Sequence, residues 1–559
     1  MDHSGEPDDR ADPFTHGVGS FDPTTTSVLL WTRVEGHDTV RWSIAPATDV
    51  APVAGGEVVL DPDANGSVAV DVDDLLPGTS YRYWFEAGDR RSPVGRTRTL
   101  PDAGVDRVRL AVVCCADYSQ GHFGVYRAVA DAQVDLVVHV GDYIYESAGR
   151  GTVRTAEPDR TVTSLDDYRT RFAQTRSDPD MRALHQRHPM VAIWDDHDIA
   201  DNAWRHGAKA HDDAQHGLWE ERLSHAVQAW HEWLPTRLRD PGDQLAIWRS
   251  FPIGDLAELV MLDTRIAGRD EHADHPGSPD IDDPDRSILG AAQRPWAHER
   301  VRDTSRPWCL LGSAVVLNRM QLPVPVGERL SDVTPSGYAV VDGQALCTDE
   351  WDGYPTERER LVAAMADRGG GMVVISGDVH SAWAFEGPNH EGRPVAVEFV
   401  APCVTSTPMG AQLPRGWRKL AGELAETLPE ARWFELERHG FVVLDVDRER
   451  VRADWFTVDI EDPHARAHPA AAWLNRLDEP GRLHEASDVP AAPRAPAGSP
   501  AATAPQVAVP DRPAELTGGD AAAARRRTAR IVAGGALVTA IAGLWHRQTA
   551  RNRSGRGRT

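Results

Sequence analysis

The sequence predicts an α/β protein in which a small all-β domain precedes a larger layered domain. Two observations lead to this prediction. Between about residues 14 and 100, apolar and polar positions alternate in short runs separated by Pro, Gly and Asp, the pattern of strands in a β-sandwich. From about residue 107, apolar runs are interleaved with helical stretches such as 123–132 and 218–234, which is typical of a sheet covered by helices.

The chain divides into four predicted parts. An N-terminal β-sandwich at 1–103 contains strand-like runs at 27–31, 39–42 and 81–85, and its segment LLPGTSY at 75–81 resembles the turn and tyrosine of a fibronectin type III-like domain. The α/β domain follows at 104–485. A Pro/Ala-rich linker at 486–527 buries too little apolar surface to fold, and an apolar segment with arginine-rich flanks closes the chain at 528–559.

Composition narrows the function classes. The 559 residues are 41% hydrophobic and 26% charged, as in ordinary globular proteins. A formal net charge of -25 argues against general nucleic-acid binding, because a polyanion would be repelled. We therefore expect no stable nucleic-acid partner. The five cysteines have no CxxC spacing, which fits neither a disulfide framework nor a zinc finger.

The N-terminal and C-terminal sequences give expectations about the cellular location of the protein. The acidic N-terminus is followed by no apolar stretch, so no export signal is expected. The uncharged run at 531–545 would cover roughly 22 Å as a helix, short of the roughly 30 Å membrane core. It is therefore predicted to be either a tail anchor or a surface helix, and the location stays open between the cytoplasm and a membrane.

Five strand-like runs of the α/β domain end in chemically reactive residues. The runs are 109–113, 136–140, 191–194, 259–262 and 372–375, and they lead into CCADY, GDYIY, DDHD, DTR and SGDVH. Because the carboxyl ends of strands in an open α/β sheet face one crevice, we expect these groups to meet. Carboxylates, imidazoles, a thiolate and a phenolate would repel one another unless cations were present.

The donor types indicate two unlike metals. A carboxylate such as Asp142 can bridge two cations about 3.5 to 4 Å apart. Thiolate and phenolate donors favour a transition metal such as iron, whereas a carboxylate-lined position favours calcium or manganese. A water bound between the two would lose a proton near neutral pH and act as the nucleophile.

Several motifs in the same order resemble a known family. They are GDYIYE (141–146), YRTRF (168–172), RSDP (176–179), WDDHD (194–198), AWHEWLP (229–235), LDTR (262–265), LGAAQ (289–293), SGDVHS (376–381) and VEFV (397–400). Over roughly residues 14–460 the chain resembles the alkaline phosphatase D (PhoD-like) family of calcineurin-like metallophosphoesterases. The resemblance implies a metallophosphoesterase β-sandwich flanked by helices, behind an N-terminal all-β domain.

The resemblance also implies the roles of individual residues. Fe³⁺ would be held by Cys115, Asp142, Tyr145 and His380, and Ca²⁺ by Asp142, Asp196 and Asp378, with Mn²⁺ or Zn²⁺ as possible substitutes. The chain reads Cys114-Cys115-Ala116 where the family usually reads Ser-Cys-Gln, so the choice of Cys115 over Cys114 depends on the alignment register. His197 would stabilise charge or protonate the leaving oxygen, while Arg265 and Asn202 would contact phosphate oxygens.

The expected function is a two-metal hydrolase of phosphate mono- and/or diesters that uses metal-bound hydroxide. Two alternatives are a cysteine hydrolase with Cys115 as nucleophile and a membrane-tethered binding protein with structural metals. Among other residues, His139 is expected to be a core histidine and Asp195 either to orient its neighbours or to bind metal. His122 and His206 are expected at the surface.

Overall fold

The computed structural model describes residues 12–49, 51–149, 151, 153–274, 278–320, 347–412 and 428–488, together with the backbone of 530–531. No helix within these ranges is long and apolar enough to cross a membrane. Nearly all of the predicted linker at 486–527 and of the terminal segment at 528–559 lies outside the described residues. The tail anchor and the boundaries of the four parts therefore stay predictions.

The N-terminal part folds as two packed β-layers, as the alternating pattern predicts. Its strands are β1 Val18–Phe21, β2 Val28–Arg33, β3 Thr39–Pro46, β4 Ala54–Val59, β5 Ser67–Val72, β6 Ser80–Ala87, β7 Arg90–Arg91 and β8 Gly95–Arg98. One layer has the order β4-β3-β6-β7, with β8 also paired to β6, and the other contains β1, β2 and β5. Side chains such as Leu30, Ile44 and Tyr83 fill the core between the layers.

The larger part contains the remaining strands and the helices. The strands are β9 Arg107–Val113, β10 Leu136–His139, β11 Met190–Ala192, β12 Ala203–Trp204, β13 Gly207–Ala208, β14 Arg249–Ile253, β15 Ala257–Met261, β16 Trp308–Gly312, β17 Met372–Ser376, β18 Ala382–Glu386, β19 Asn389–His390, β20 Arg393–Pro394, β21 Val397–Val400, β22 Ala431–Glu435, β23 His439–Asp447, β24 Arg450–Val458, β25 His468–Arg476, β26 His484–Glu485 and β27 Arg530–Ile531. The helices are α1 Gly124–Ala130, α2 Leu165–Ser177, α3 Pro179–Arg187, α4 Asp213–His216, α5 Trp219–Trp233, α6 Gly290–Arg302, α7 Pro355–Arg368 and α8 Met409–Gln412.

Two large sheets form the body of this part. One has the order β26-β25-β24-β23-β9-β10-β11-β1-β2-β5-β27, and the other β14-β15-β16-β17-β21-β18-β22. Both contribute to one apolar core, which contains Val112 and Val138 from the first sheet and Leu259, Val373 and Phe399 from the second. A second core lies between the β15–β17 region and helices α6 and α7. This β-sandwich flanked by helices confirms the predicted fold class.

The parts are joined within the first sheet. Strand β1 pairs in parallel with β11 through Phe21 and Met190, so the N-terminal layer continues the larger sheet. Arg249 of β14 adds a buried ion pair to Asp22, with two N···O distances of 2.7 Å. The N-terminal part is therefore anchored directly to the part that carries the strand-end motifs.

One expectation about the strands needs correction. The five reactive strand ends do not belong to a single sheet, because β9, β10 and β11 lie in the first sheet whereas β15 and β17 lie in the second. Apolar runs identify buried strands but not the sheet that each one joins. The ends nevertheless meet, since the parallel strands of the two packed sheets end at the same side of the sandwich.

Candidate metal centre

Metal-type donors form a continuous row at this side of the sandwich. Three groups have ligand atoms within 4.8 Å of one another: Cys115, Asp142 and His380; Asp142, Asp196 and His197; and Asp195, Asp196 and Asp378. Neighbouring groups share Asp142 or Asp196. The row therefore contains adjoining positions, the first with a thiol and the last made only of carboxylates.

The backbone is unusual at most of the residues that the sequence singles out. Five of them have a positive φ, namely Cys115 (58°), Asp142 (57°), Asn202 (52°), Asp378 (64°) and His380 (50°). Left-handed conformations are uncommon in residues other than glycine and cost of order 1–3 kcal/mol each. Such strain persists where the surrounding structure requires it, and it concentrates at functional sites.

The thiol end of the row is completed by a tyrosine. The Tyr145 hydroxyl donates to Asp142 Oδ2 at 2.7 Å and lies 3.0 Å from His380 Nε2. The other ring nitrogen of His380 lies 3.0 Å from the Thr407 carbonyl oxygen. Since only a protonated Nδ1 can donate to that carbonyl, Nε2 is left as the acceptor that faces the centre.

The electrostatics at this end favour a cation. Burial raises the pKa of the Cys115 thiol, and the neighbouring Cys114 and Asp142 raise it further. Burial likewise raises the pKa values of Asp142 and Tyr145 well above their usual range. These groups become good anionic ligands only when a positive charge compensates for their burial. The donor set therefore fits a bound metal ion.

The structure distinguishes the two adjacent cysteines. Cys115 lies with Asp142 and His380, whereas the Cys114 thiol points to the carbonyl oxygens of Ala401 and Pro402 at 3.8 Å. The geometry thus agrees with the register that selects Cys115.

The carboxylate end carries unsatisfied oxygens. Asp195 Oδ2 and Asp196 Oδ1 are buried and accept no hydrogen bond of ordinary geometry from the described residues, although Asp196 Oδ1 lies 3.4 Å from Arg265 Nη2. The second oxygen of Asp196 accepts from the backbone N–H of Asn202 at 2.5 Å. Buried carboxylate oxygens without donors are costly unless a cation binds them. This end therefore fits a hard, oxygen-liganded ion, and Asp195 joins the candidates.

Arg265 is expected to contact phosphate oxygens, but in the structure it is paired with carboxylates. Its side chain has 0% exposure and forms ion pairs with Asp195, Asp196, Asp349 and Asp378. Its Nη2 lies 3.2 Å from Asp378 Oδ1. In this arrangement Arg265 is a counter-ion of the carboxylates. Contact with a phosphate oxygen stays a prediction, and it would require one of these carboxylates to be exchanged.

His197 lies at the edge of the row, beside an acidic side chain. Its Nδ1 lies 2.7 Å from Glu146 Oε2, and its ring stacks on Tyr145 with centroids 4.2 Å apart. Burial alone would lower the pKa of His197, but Glu146, Asp196 and Asp142 raise it well above the usual value. The side chain is 20% exposed. The neighbouring carboxylates thus favour the protonated form of His197, whose side chain remains accessible.

Asp198 holds the ligand loops together. Its Oδ2 accepts from the backbone N–H groups of Asp142 (2.9 Å) and Asp195 (3.0 Å), and its Oδ1 from those of Tyr143 (3.0 Å) and Ile144 (3.2 Å). Burial raises the pKa of Asp198 to about 7, although these donors oppose the shift. One carboxylate thus fixes the turns after β10 and β11.

Sequence reasoning missed three residues that support the centre. Glu146 and Asp198 stand inside quoted motifs, but no role was inferred for them. Asp349 follows a part of the chain with no strand pattern, yet it pairs with both Arg265 and Arg269. The sequence could have pointed to Glu146 and Asp198, because they are acidic residues within short motifs, but it offered no such indication for Asp349.

The histidines outside the row behave largely as expected. His139 is fully buried, with Nε2 3.0 Å from Tyr126 Oη and Nδ1 accepting from the Gly141 N–H at 3.3 Å. Burial lowers the pKa of His139 to about 3, which confirms a neutral core histidine. His206 is exposed and His122 is partly exposed.

Comparisons with known proteins agree with this geometry. The family model "PhoD-like phosphatase" matches residues 110–455, and "PhoD-like phosphatase, N-terminal domain" matches residues 2–101. Alkaline phosphatase D of Bacillus subtilis (strain 168) is 31% identical over 504 residues, which cover 84% of this chain and 82% of that protein. A solved structure of PhoD superposes with a TM-score of 0.76 at 28% identity, covering 87% of this chain and 94% of the other.

Matches of this extent establish more than a shared fold, because they cover both parts of the chain and include the motifs that form the donor row. The chain belongs to the PhoD-like phosphatase family, and it is a phosphoric ester hydrolase.

Proposed function

We propose that this enzyme hydrolyses phosphate mono- and/or diesters with two unlike cations bound along the donor row. The observation that supports this most strongly is that adjoining donor groups share Asp142, with a thiol at one end and carboxylates at the other. When bound, such cations would polarise phosphoryl oxygens and lower the pKa of a coordinated water.

The donor types suggest which ion each position prefers. Fe³⁺ would be held by Cys115, Asp142, Tyr145 and His380, because thiolate, phenolate and imidazole donors suit a transition metal. Ca²⁺ would be held by Asp142, Asp196 and Asp378, whose carboxylate oxygens suit a hard cation. Mn²⁺ or Zn²⁺ would be possible substitutes, and Asp195 is an additional candidate at the carboxylate end.

The protein itself supplies the acid. His197 would donate a proton to the leaving oxygen from Nε2, which lies 3.9 Å from Asp201 Oδ1, while Glu146 holds the ring at Nδ1. Asn202 fixes Asp196 through its backbone N–H, and its side chain is our candidate for a phosphate oxygen. Arg265 would balance the carboxylates and, if displaced from one of them, contact phosphate.

The alternatives from the sequence are less well supported. A nucleophilic cysteine requires a lowered pKa and partial exposure, whereas Cys115 is 1% exposed and burial raises its pKa. A binding protein with purely structural metals does not agree with membership of a phosphatase family. The hydrolase is therefore the function that we retain.

The experiment compares Asp142→Asn with Asp166→Asn, a matched control whose side chain is 93% exposed. We expect Asp142→Asn to lower the bound iron and to reduce hydrolysis of aryl phosphates by more than about 100-fold, with an unchanged circular dichroism spectrum. The control should match the wild type. Full activity of a metal-depleted Asp142→Asn protein would refute the proposal.

A further inference from the structure

Helix α2 carries a buried arginine that lacks an anion. Arg176 has 0% exposure, and its Nε, Nη1 and Nη2 atoms make no hydrogen bond of ordinary geometry in the described part of the chain, although the neighbouring Tyr143 hydroxyl acts to raise its pKa. Among those same residues, no carboxylate oxygen lies within the 4.0 Å that defines an ion pair. Burial lowers the pKa of Arg176, which reflects the high cost of an isolated buried charge.

Other buried arginines of this protein have a carboxylate or carbonyl acceptor, and Arg171, for example, donates to the backbone oxygens of Ser147 and Pro158. Arg249 binds both oxygens of Asp22 at 2.7 Å. Arg154 also stacks on an aromatic ring, with its Cζ 3.7 Å from the centroid of Tyr118, but it donates to Asp178 at 2.6 Å. Arg176 instead stacks on Trp31, with its Cζ 4.2 Å from the ring centroid, and interacts with the neutral Tyr143 hydroxyl, but it has no carboxylate partner among the described residues. Such a contact offsets only part of the cost of burying the charge.

The groups around Arg176 are rich in donors as well. Tyr83 Oη and Ser20 Oγ are buried and make no hydrogen bond of ordinary geometry, although they interact with each other, and Tyr83 also interacts electrostatically with Arg176. His185, which also interacts with Arg176, has its Nε2 2.9 Å from Tyr143 Oη and its Nδ1 unpartnered. If the tyrosine hydroxyl donates to Nε2, Nδ1 carries the proton and becomes a further free donor.

We propose that Arg176 forms a buried site for a small monovalent anion of the halide class, such as chloride. The hydroxyl groups around this positive charge can accept from it but cannot neutralise it, whereas a single halide ion would accept several hydrogen bonds and also neutralise the charge. All of these donor atoms are buried, which suits a small resident ion rather than a phosphate ester.

The position of the site indicates its effect. Ser20, Trp31 and Tyr83 belong to the N-terminal part, whereas Arg176 and His185 belong to helices α2 and α3. The ion would therefore stabilise the contact between the two parts of the protein. None of these five residues belongs to the donor row, so we expect the ion to affect stability rather than the chemical step.

Thermal unfolding of the whole chain tests the site. Chloride is exchanged for gluconate at constant ionic strength. The midpoint temperature of unfolding is compared for the wild type, for Arg176→Met and for the control Arg154→Met, which removes another arginine that stacks on an aromatic ring. For the wild type we expect a rise of about 1–2 °C per tenfold increase in chloride once its concentration exceeds the dissociation constant. Arg176→Met should lose this dependence, because it removes the charge, while Arg154→Met should retain it.

A crystal of the wild-type protein soaked in bromide provides a second readout that needs no variant. An anomalous peak in contact with the Arg176 guanidinium, together with the chloride-dependent midpoint, supports the site. Water alone at this position would overturn the proposal. So would a bromide peak without any halide dependence of the wild-type midpoint, since it would show binding at soaking concentration only.

Discussion

Replacing Asp198 by Asn should destabilise the two turns that carry the residues of the candidate metal centre. The carboxylate accepts four backbone N–H groups, two on each oxygen, from the turns after β10 and β11. Asparagine keeps one oxygen and puts an NH₂ group in place of the other, so two buried N–H groups would face a donor. Each buried donor left unsatisfied costs about 1–3 kcal/mol, which gives a loss of about 2–6 kcal/mol in the free energy of unfolding.

Urea unfolding at pH 8 measures this loss under conditions in which Asp198, whose pKa is about 7, is ionised. The same change should weaken metal binding by about 10–100-fold, because Asp142 would no longer be fixed by its backbone N–H. The exposed control Asp166→Asn should stay within about 0.5 kcal/mol of the wild type. A loss below about 1 kcal/mol in Asp198→Asn, with wild-type metal content, would refute the supporting role of this carboxylate.

Three further predictions concern protonation and ligand choice. His197→Asn should lower kcat about 10²- to 10⁴-fold for an alkyl phosphate but much less for an aryl phosphate with an acidic leaving group; equal losses on both would argue against an acid role. Cys115→Ser should abolish the thiolate charge-transfer absorption of the iron-loaded enzyme, whereas Cys114→Ser should preserve it, and the reverse result would favour Cys114 as the ligand. Burial lowers the pKa of His188 from 6.5 to about 4, so on acidification the unfolded state binds this proton at a higher pH than the folded state. The contribution of neutral His188 to the free energy of unfolding is therefore present above pH 6.5 and is lost as the pH falls toward 4. At pH 5 the loss should be about 2 kcal/mol. His188→Gln should reduce the change of the urea unfolding midpoint between pH 6.5 and pH 4. A midpoint that changes with pH as in the wild type would contradict the attribution of this effect to His188.

Much of the fold could be predicted because its core strands are continuous apolar runs. The runs at 109–113 and 372–375 correspond to β9 and β17, which are buried between layers on both faces. The helix expected at 218–234 is α5 Trp219–Trp233, and its three tryptophans pack inward. Assignment of the strands to two sheets could not be predicted, because it depends on pairing between distant segments such as β9 and β23.

The candidate site was partly predictable for a related reason. Residues that follow strands, such as Asp142, Asp196 and His380, can be found from the chain alone, because a parallel sheet collects strand ends on one side. Asp349 could not be found in this way, since its role depends on ion pairs with arginines about 80 residues away in the chain. The pairing of buried Arg265 also required the three-dimensional arrangement, because its four carboxylate partners come from three separate segments.

The measurement that tests the central claim most directly is elemental analysis of protein purified without chelators, paired with a visible spectrum and hydrolysis assays on aryl phosphate mono- and diesters. We expect about one iron per chain, a charge-transfer band from thiolate or tyrosinate, and turnover that depends on calcium. Protein without bound metal that stays inactive when iron and calcium are added would contradict the two-metal centre.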